Sequence, residues 1–278
     1  MLTLMLITKH PSVARHVHAC GVQRIFVDME ILGKHERQGN LNTVISDHTL
    51  NDVASVRTAV PKAELMVRLN PLHTGSDREV DGAIEAGADF LMLPMFRSAD
   101  ELARFSKIVN GRVGIIPLVE TREAAGDIRR VVRVPGLHEV FLGLNDLHLS
   151  LGLKFMFELL ANGTVDRISD VVQQAGLRFG FGGIARMGEG TLPGDLVLGE
   201  HVRLGSQSVI LSRAFHKGLG EVELARSQRD DFWASVSAVR AFEHSLARRT
   251  PEQTLQDQLR LQSIVAEIVA SRSQQEAA

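Results

Sequence analysis

Short apolar runs alternate along this chain with amphipathic stretches of helical period. The runs fall at 3–8, 24–30, 64–70, 89–95, 113–120, 139–146, 178–183 and 208–215. Helical patterns lie between them at 11–20, 50–60, 77–86, 99–109, 122–134, 165–175 and 194–204. An apolar run of this length, bounded by turn or helix signals, reads as a buried strand. Gly21, Gly87, Gly111, Gly176 and Gly205 stand where the helical patterns stop, as left-handed caps require. Eight strand–helix units in about 215 residues predict a (β/α)8 TIM barrel rather than an open doubly wound sheet. The first unit lacks a Gly-x-Gly-x-x-Gly turn, which weighs against a dinucleotide-binding sheet.

Beyond Phe215 the pattern is wholly helical, over 221–249 and 252–271. Thr250-Pro251 divides the two segments, with Thr250 expected as the cap and Pro251 in the first turn. These helices exceed what a barrel needs. The expected organisation is a catalytic barrel at 1–220 and a helical extension at 221–278. That extension packs back on the barrel or is swapped with a neighbouring subunit. Residues 271–278 are expected to fray.

Composition narrows the setting. The formal net charge of −2 offers no nucleic-acid-binding surface. The single cysteine, Cys20, excludes a disulfide framework and a cysteine metal site, and is expected to pack as a small apolar residue. No apolar stretch is long enough to span a membrane, and residues 1–7 lack a basic leader, so they read as a first strand. A reducing, cytoplasmic setting is the expectation. The chain has no tyrosine, so a tyrosine acid, base or nucleophile is excluded.

Barrel chemistry sits at the C-terminal ends of strands. Those ends carry His10, Glu30, Arg68 with Asn70, Met95, Glu120, Asp146, Gly182-Gly183 and Ser212-Arg213. Two apolar runs end on carboxylates, Glu120 and Asp146, on neighbouring strands. Converging carboxylates repel unless a proton or a cation is shared. Hard oxygen ligands without cysteine or a histidine cluster suit Mg²⁺ or Mn²⁺. The same two acids also read as helix caps offsetting the dipole. An arginine ending a buried strand, Arg68, needs an anion. A substrate carboxylate fits its fork, and so does a structural bridge to Glu30 or Glu120. Glu30 is placed to bind an ion through water or to orient Arg68, and alternation puts Asp28 on the same side. The charged stretch 33–39 contains His35, the histidine nearest this constellation in sequence and the side-chain type suited to proton transfer. His73 is a second rim histidine, while His48 reads as an ordinary helix or loop residue. Gly182-Gly183 reads as tight backbone packing on the seventh strand.

These residues resemble the HpcH/HpaI aldolase and citrate lyase family over most of residues 20–215. Ile25-Phe26-Val27-Asp28-Met29-Glu30 is similar to the family's acidic strand-2 motif, and Val67-Arg68-Leu69-Asn70-Pro71 to its substrate-binding arginine. The stretch from Ala86-Gly87-Ala88-Asp89 to Pro94-Met95 resembles its fourth strand. Val119-Glu120-Thr121 and the stretch Phe141-Leu142-Gly143-Leu144-Asn145-Asp146-Leu147-His148-Leu149-Ser150-Leu151-Gly152 resemble its two metal-ligand segments. The resemblance implies that Glu120 and Asp146 hold Mg²⁺ or Mn²⁺. It implies that a pyruvate-like 2-oxo acid chelates the ion, with backbone N–H groups near Asn145 and Asp146 receiving the carboxylate. The ion and Arg68 then stabilise an enolate in aldol cleavage or addition. The implied activity is that of a class II aldolase-type carbon–carbon lyase acting on a 4-hydroxy-2-oxo acid, with an aldehyde partner, in a homo-oligomer.

The chain departs from the aldolase pattern in places. Ile31 stands where the aldolases carry histidine. In the family that histidine pairs with an acid on the third helix, where this chain offers Glu85; His35 is the replacement expected from the loop. Leu118 stands where the aldolases often have glutamine. Arg68-Leu69-Asn70-Pro71-Leu72 is closer to the citrate lyase β-subunit and malyl-CoA lyase branch. Cleavage of a 3-hydroxyacyl-CoA is therefore an alternative, with Lys34, Arg37 and Arg97 available to the CoA phosphates. Ile31 and Leu118 also leave open a barrel that binds or assembles without catalysis.

Overall fold

The computed structural model describes residues 1–33, 47–216 and 226–277. Eight parallel strands close in sequence order into a barrel: β1 (Thr3–Ile7), β2 (Arg24–Asp28), β3 (Glu64–Arg68), β4 (Phe90–Leu93), β5 (Gly114–Val119), β6 (Glu139–Leu142), β7 (Arg178–Ile184) and β8 (Ser208–Leu211). The seam pairs Thr3 with Ser208 and Met5 with Ile210. Around it lie α1 (Pro11–Ala19), α2 (Leu50–Ala59), α3 (Ser76–Glu85), α4 (Ala99–Val109), α5 (Arg122–Gly126), α6 (Ile128–Val131), α7 (Leu144–Ser150), α8 (Glu158–Ala161), α9 (Thr164–Gln174) and α10 (Gly194–Arg203). All five glycines expected as caps have positive φ, from 62° to 101°. The expected helix at 122–134 is broken at Asp127, whose carboxylate accepts the Ala99 amide at the start of α4. The sixth strand stops at Leu142, so Asn145 and Asp146 lie in the first turn of α7 rather than on the strand.

Side chains alternate across the barrel wall with the two-residue period of a strand. Met5, Phe26, Met66, Met92, Ile116, Leu118 and Phe141 fill the interior. Leu4, Leu6, Ile25, Val27, Leu65, Val67 and Leu91 face the helices. A polar layer seals the N-terminal end. Arg24, completely buried, donates to Glu64 at 2.8 Å and to Glu139 at 3.1 Å, and lies 4.8 Å over the Phe90 ring. Ser208 donates to the second oxygen of Glu139, and Arg178 lies 3.6 Å from that carboxylate. Each polar member of this layer opens its strand. Their charges offset one another, so the floor is closed and the C-terminal mouth is left for chemistry.

After a 3-10 turn (Arg213–His216) come α11 (Arg226–Leu246) and α12 (Pro251–Ala277). The expected boundary at 220/221 lies outside the described residues. Thr250 caps α12 as expected, exchanging hydrogen bonds with Gln253. The helix continues to Ala277, and Arg272 donates to the Lys154 carbonyl and lies 4.7 Å over Phe155. α12 packs on α8 and α10 of its own barrel, and α11 packs on α1 and α10. Glu243 of α11 accepts the Leu2 amide at 2.6 Å, and Arg240 donates to the Leu2 carbonyl and to Gln23. Cys20 is half-buried and packs against the core at the end of α1.

Removing one partner from a buried ion pair leaves the other uncompensated, at a cost of about 3–5 kcal/mol. Arg24→Met is expected to lower stability by about that amount, read from the denaturant midpoint. An unchanged midpoint would show that the floor network contributes nothing to stability.

Candidate active site

β2 and β3 are paired with Asp28 opposite Arg68, and this register builds the first half of the site. Arg68 donates from Nε and Nη2 to the two carboxylate oxygens of Asp28, both at 2.8 Å. Glu30 stands 3.4 Å from Arg68 Nε, and its amide donates to Asp28. Asp28 and Glu30 are buried. The charge on Arg68 is secure. Burial opposes it, but Asp28, Glu30 and Glu120 outweigh burial and hold the guanidinium well above its ordinary pKa. Its structural partner is thus chiefly Asp28 rather than Glu30 or Glu120. Nε and Nη2 are taken by Asp28, and Nη1 makes no hydrogen bond among the described residues.

The second half comes from β5 and the turn after β6. Glu120 follows β5 and is buried. One of its oxygens accepts the Met95 amide at 2.9 Å. Met95 has φ +55°, a left-handed conformation that a side-chain-bearing residue adopts only at a cost. That cost presents its N–H to Glu120. The other Glu120 oxygen lies against Gly143, where a Cβ would sit 2.8 Å away. Glycine before α7 therefore makes room for the carboxylate. Asp146, in the first turn of α7, is half-buried, and Asn145 is exposed. Burial first, then the Asp146 charge and that of Glu30, push the Glu120 carboxyl up to about 8, against the opposing pull of Arg68 and the Met95 N–H.

The structure thus gathers Glu30, Arg68, Glu120 and Asp146 at one mouth. It does not bring Glu85 there. Glu85 is exposed at the C-terminal end of α3, on the floor side, four residues before Asp89 leads into β4. A helix returning from a strand end carries its last turn to the opposite face of the barrel. The acid that α3 presents to the mouth is Glu79, in its first turn, which accepts from Asn70 Nδ2 at 2.6 Å and faces His73 at 3.4 Å. Asn70 in turn accepts the amides of Ile31 and Leu32, fixing the chain just past Glu30. A first-turn acid following a strand-end asparagine was the available sequence signal for Glu79. His35, Lys34 and Arg37 lie outside the described residues.

Two carboxylates, one pushed toward its protonated form by the other, are a donor set that a divalent ion would satisfy. Among the described residues, no group of three or more His, Cys, Asp or Glu surrounds one point. Two carboxylates with the remaining positions left to water are a donor set of the kind that a hard ion such as Mg²⁺ takes. No helix among the described residues is long and apolar enough to cross a membrane.

The raised Glu120 pKa sets a pH dependence. The folded state holds this proton up to about pH 8, whereas the ordinary value is 4.5. Between these values the folded chain binds more protons than the unfolded one, so metal-free stability falls as pH rises. Glu120→Gln keeps an acceptor for the Met95 amide and removes the charge. It is expected to melt like the parent near pH 5 and above it at pH 8, in thermal scans with chelator. Equal melting temperatures at both pH values would show that Glu120 is not held under this strain.

Residues 2–156 match the family model described as HpcH/HpaI aldolase/citrate lyase. Several solved structures share the fold. An HpcH/HpaI aldolase/citrate lyase family protein from Burkholderia cenocepacia J2315 is 18% identical, with TM-score 0.61, covering 88% of this chain and 94% of that one. An HpcH/HpaI aldolase from Desulfitobacterium hafniense DCB-2 is 16% identical, with TM-score 0.62, covering 78% and 89%. The citrate synthase SbnG is 16% identical, with TM-score 0.59, covering 89% and 95%. No curated protein sequence matches the chain. The family model spans more than half of the chain, which therefore belongs to the HpcH/HpaI aldolase/citrate lyase family.

Proposed function

We propose that this chain is a divalent-metal-dependent carbon–carbon lyase that cleaves or forms a 4-hydroxy-2-oxo acid. The observation that carries this reading is the buried Glu120, beside Asp146, at the same mouth as the charged Arg68. Glu120 and Asp146 would hold Mg²⁺ or Mn²⁺. When bound, the ion supplies Lewis-acid stabilisation of negative charge on the substrate's oxo group.

The protein's own groups do the rest. Arg68 offers the Nη1 donors and a fixed positive charge to an oxygen of the 2-oxo acid. Asp28 takes Nε and Nη2 and Glu30 stands beside Nε, so the guanidinium does not reorganise when charge develops. Backbone N–H groups at Asn145 and Asp146 are the proposed receivers of the carboxylate. Cleavage takes a proton from the 4-hydroxyl, breaks the C3–C4 bond, releases an aldehyde and leaves the electron pair on the three-carbon fragment, which is then protonated at C3. The base belongs at the β2 end of the mouth, where Glu30 is buried and from which the chain runs on to His35. The interior packing seals the site from below and excludes water. A cytoplasmic homo-oligomer acting on small molecules remains the proposed setting.

The test is pyruvate release from a panel of 4-hydroxy-2-oxo acids with and without Mg²⁺ or Mn²⁺. Asp146→Ala is expected to lower kcat/KM by at least about a hundredfold, as loss of a metal ligand does. Equal turnover by parent and variant, or full activity after exhaustive chelation, would overturn the reading. In Arg68→Lys, the planar fork is lost while the charge stays, and kcat/KM is expected to fall by about tenfold or more.

A further inference from the structure

Beside the acidic mouth, the segment leading into α2 supplies a histidine that the sequence pattern passes over. His48 directly precedes Thr49, the cap of α2, and both of its neighbours in the chain are tied down. On one side Asp47 pairs with Lys9 at 2.5 Å, just past the end of β1. On the other, Thr49 and Asp52 form a reciprocal capping box that fixes the start of α2. The imidazole Nδ1 accepts the Asp28 amide at 3.0 Å.

This hydrogen bond replaces a missing piece of sheet. β1 stays in register with β2 as far as Ile7 opposite Phe26, and Thr8 still donates to the Phe26 carbonyl. Beyond that the chain turns away into α1, and the His10 amide goes to Thr8 Oγ1. In a parallel ladder the amide two residues on from Phe26 is next in line for a partner on that edge. That amide is Asp28's, and His48 takes it. The half-buried ring is kept neutral first by burial, then by Lys9, against the opposing charge of Asp28. A neutral ring is what an acceptor at Nδ1 requires. The Asp28 carboxylate holds Arg68 on both oxygens. One residue is thus anchored by its amide to His48 and by its carboxylate to the guanidinium.

We propose that His48 is a positioning residue. It holds Asp28 in line beyond the end of β1, and through Asp28 it aims Arg68 at an oxygen of the 2-oxo acid. This inference rests on the proposed function and extends it to a residue that touches neither substrate nor ion.

The test compares His48→Leu, which removes the acceptor, with His48→Asn, whose side-chain oxygen restores an acceptor at the Nδ1 position. Both are assayed with Mn²⁺ for pyruvate release and, without turnover, for calorimetric binding of oxalate as a two-carboxylate probe. His48→Leu is expected to raise KM and the oxalate Kd by about tenfold, the loss of one buried hydrogen bond, with kcat changed less than about threefold. His48→Asn is expected to recover most of both, and Mn²⁺ affinity is expected to be the same in all three proteins. Equal impairment of both variants overturns the proposal, because the ring and not its acceptor then matters. So does a fall in kcat at unchanged KM, or a His48→Leu protein that binds oxalate like the parent. If the parent itself binds no oxalate at millimolar concentration with Mn²⁺, the proposed function fails, independently of His48.

Discussion

The constraint on which the mouth of this barrel depends is the burial of several carboxyl groups close together. Asp28, Glu30 and Glu120 are buried, Asp146 is close by, and among the described residues the Arg68 guanidinium stands with them. A carboxylate removed from water without a partner costs far more than packing returns, so each must find a donor or a proton. Asp28 finds Arg68. Glu120 has the Met95 amide, yet burial beside Asp146 still pushes its carboxyl up to about 8. The left-handed Met95 and the bare Gly143 are both local distortions that give Glu120 its place. Strain of this kind persists where the surrounding fold holds it, and the closed barrel does so.

The floor shows the opposite solution. Arg24, Glu64, Glu139, Arg178 and Ser208 form a polar layer in which Arg24, Glu139 and Ser208 are fully buried. There the signs are balanced and the side chains interlock beneath Met5 and Phe90. A balanced layer stabilises the barrel without needing a guest. The mouth instead sets Asp28 and Glu30 against Arg68, with Glu120 and Asp146 nearby. The two ends of one barrel therefore divide structural and chemical work.

Much of this was legible in the chain itself. Strand alternation, glycine caps and unit spacing are local patterns, and they mark eight strands and the mouth residues Glu30, Arg68, Glu120 and Asp146. What failed depended on contacts distant in sequence. Asp127 breaks a helix because its carboxylate is needed at Ala99. Asp146 belongs to a helix because β6 ends at Leu142. Glu85 reads as an active-site acid only until the direction of its helix is known, and that direction favours Glu79 instead. Asp28 appears ambiguous in sequence because its partners are forty residues ahead, in Arg68, and twenty ahead, in His48.

The clasp between α11 and the first strand has a consequence for how the chain is made. β1 sits at the barrel seam, yet its leading end is tied to Glu243 and Arg240, near the far end of the sequence. β1 finds β2 about twenty residues on, but its seam partner β8 and its ties to α11 lie more than two hundred residues away. Loop closure over that span is slow compared with local helix formation. The ladder between β1 and β8 closes the seam. Glu243 and Arg240 then tie down Leu2 just ahead of β1, so α11 acts as a latch on a barrel that its own strands have already closed.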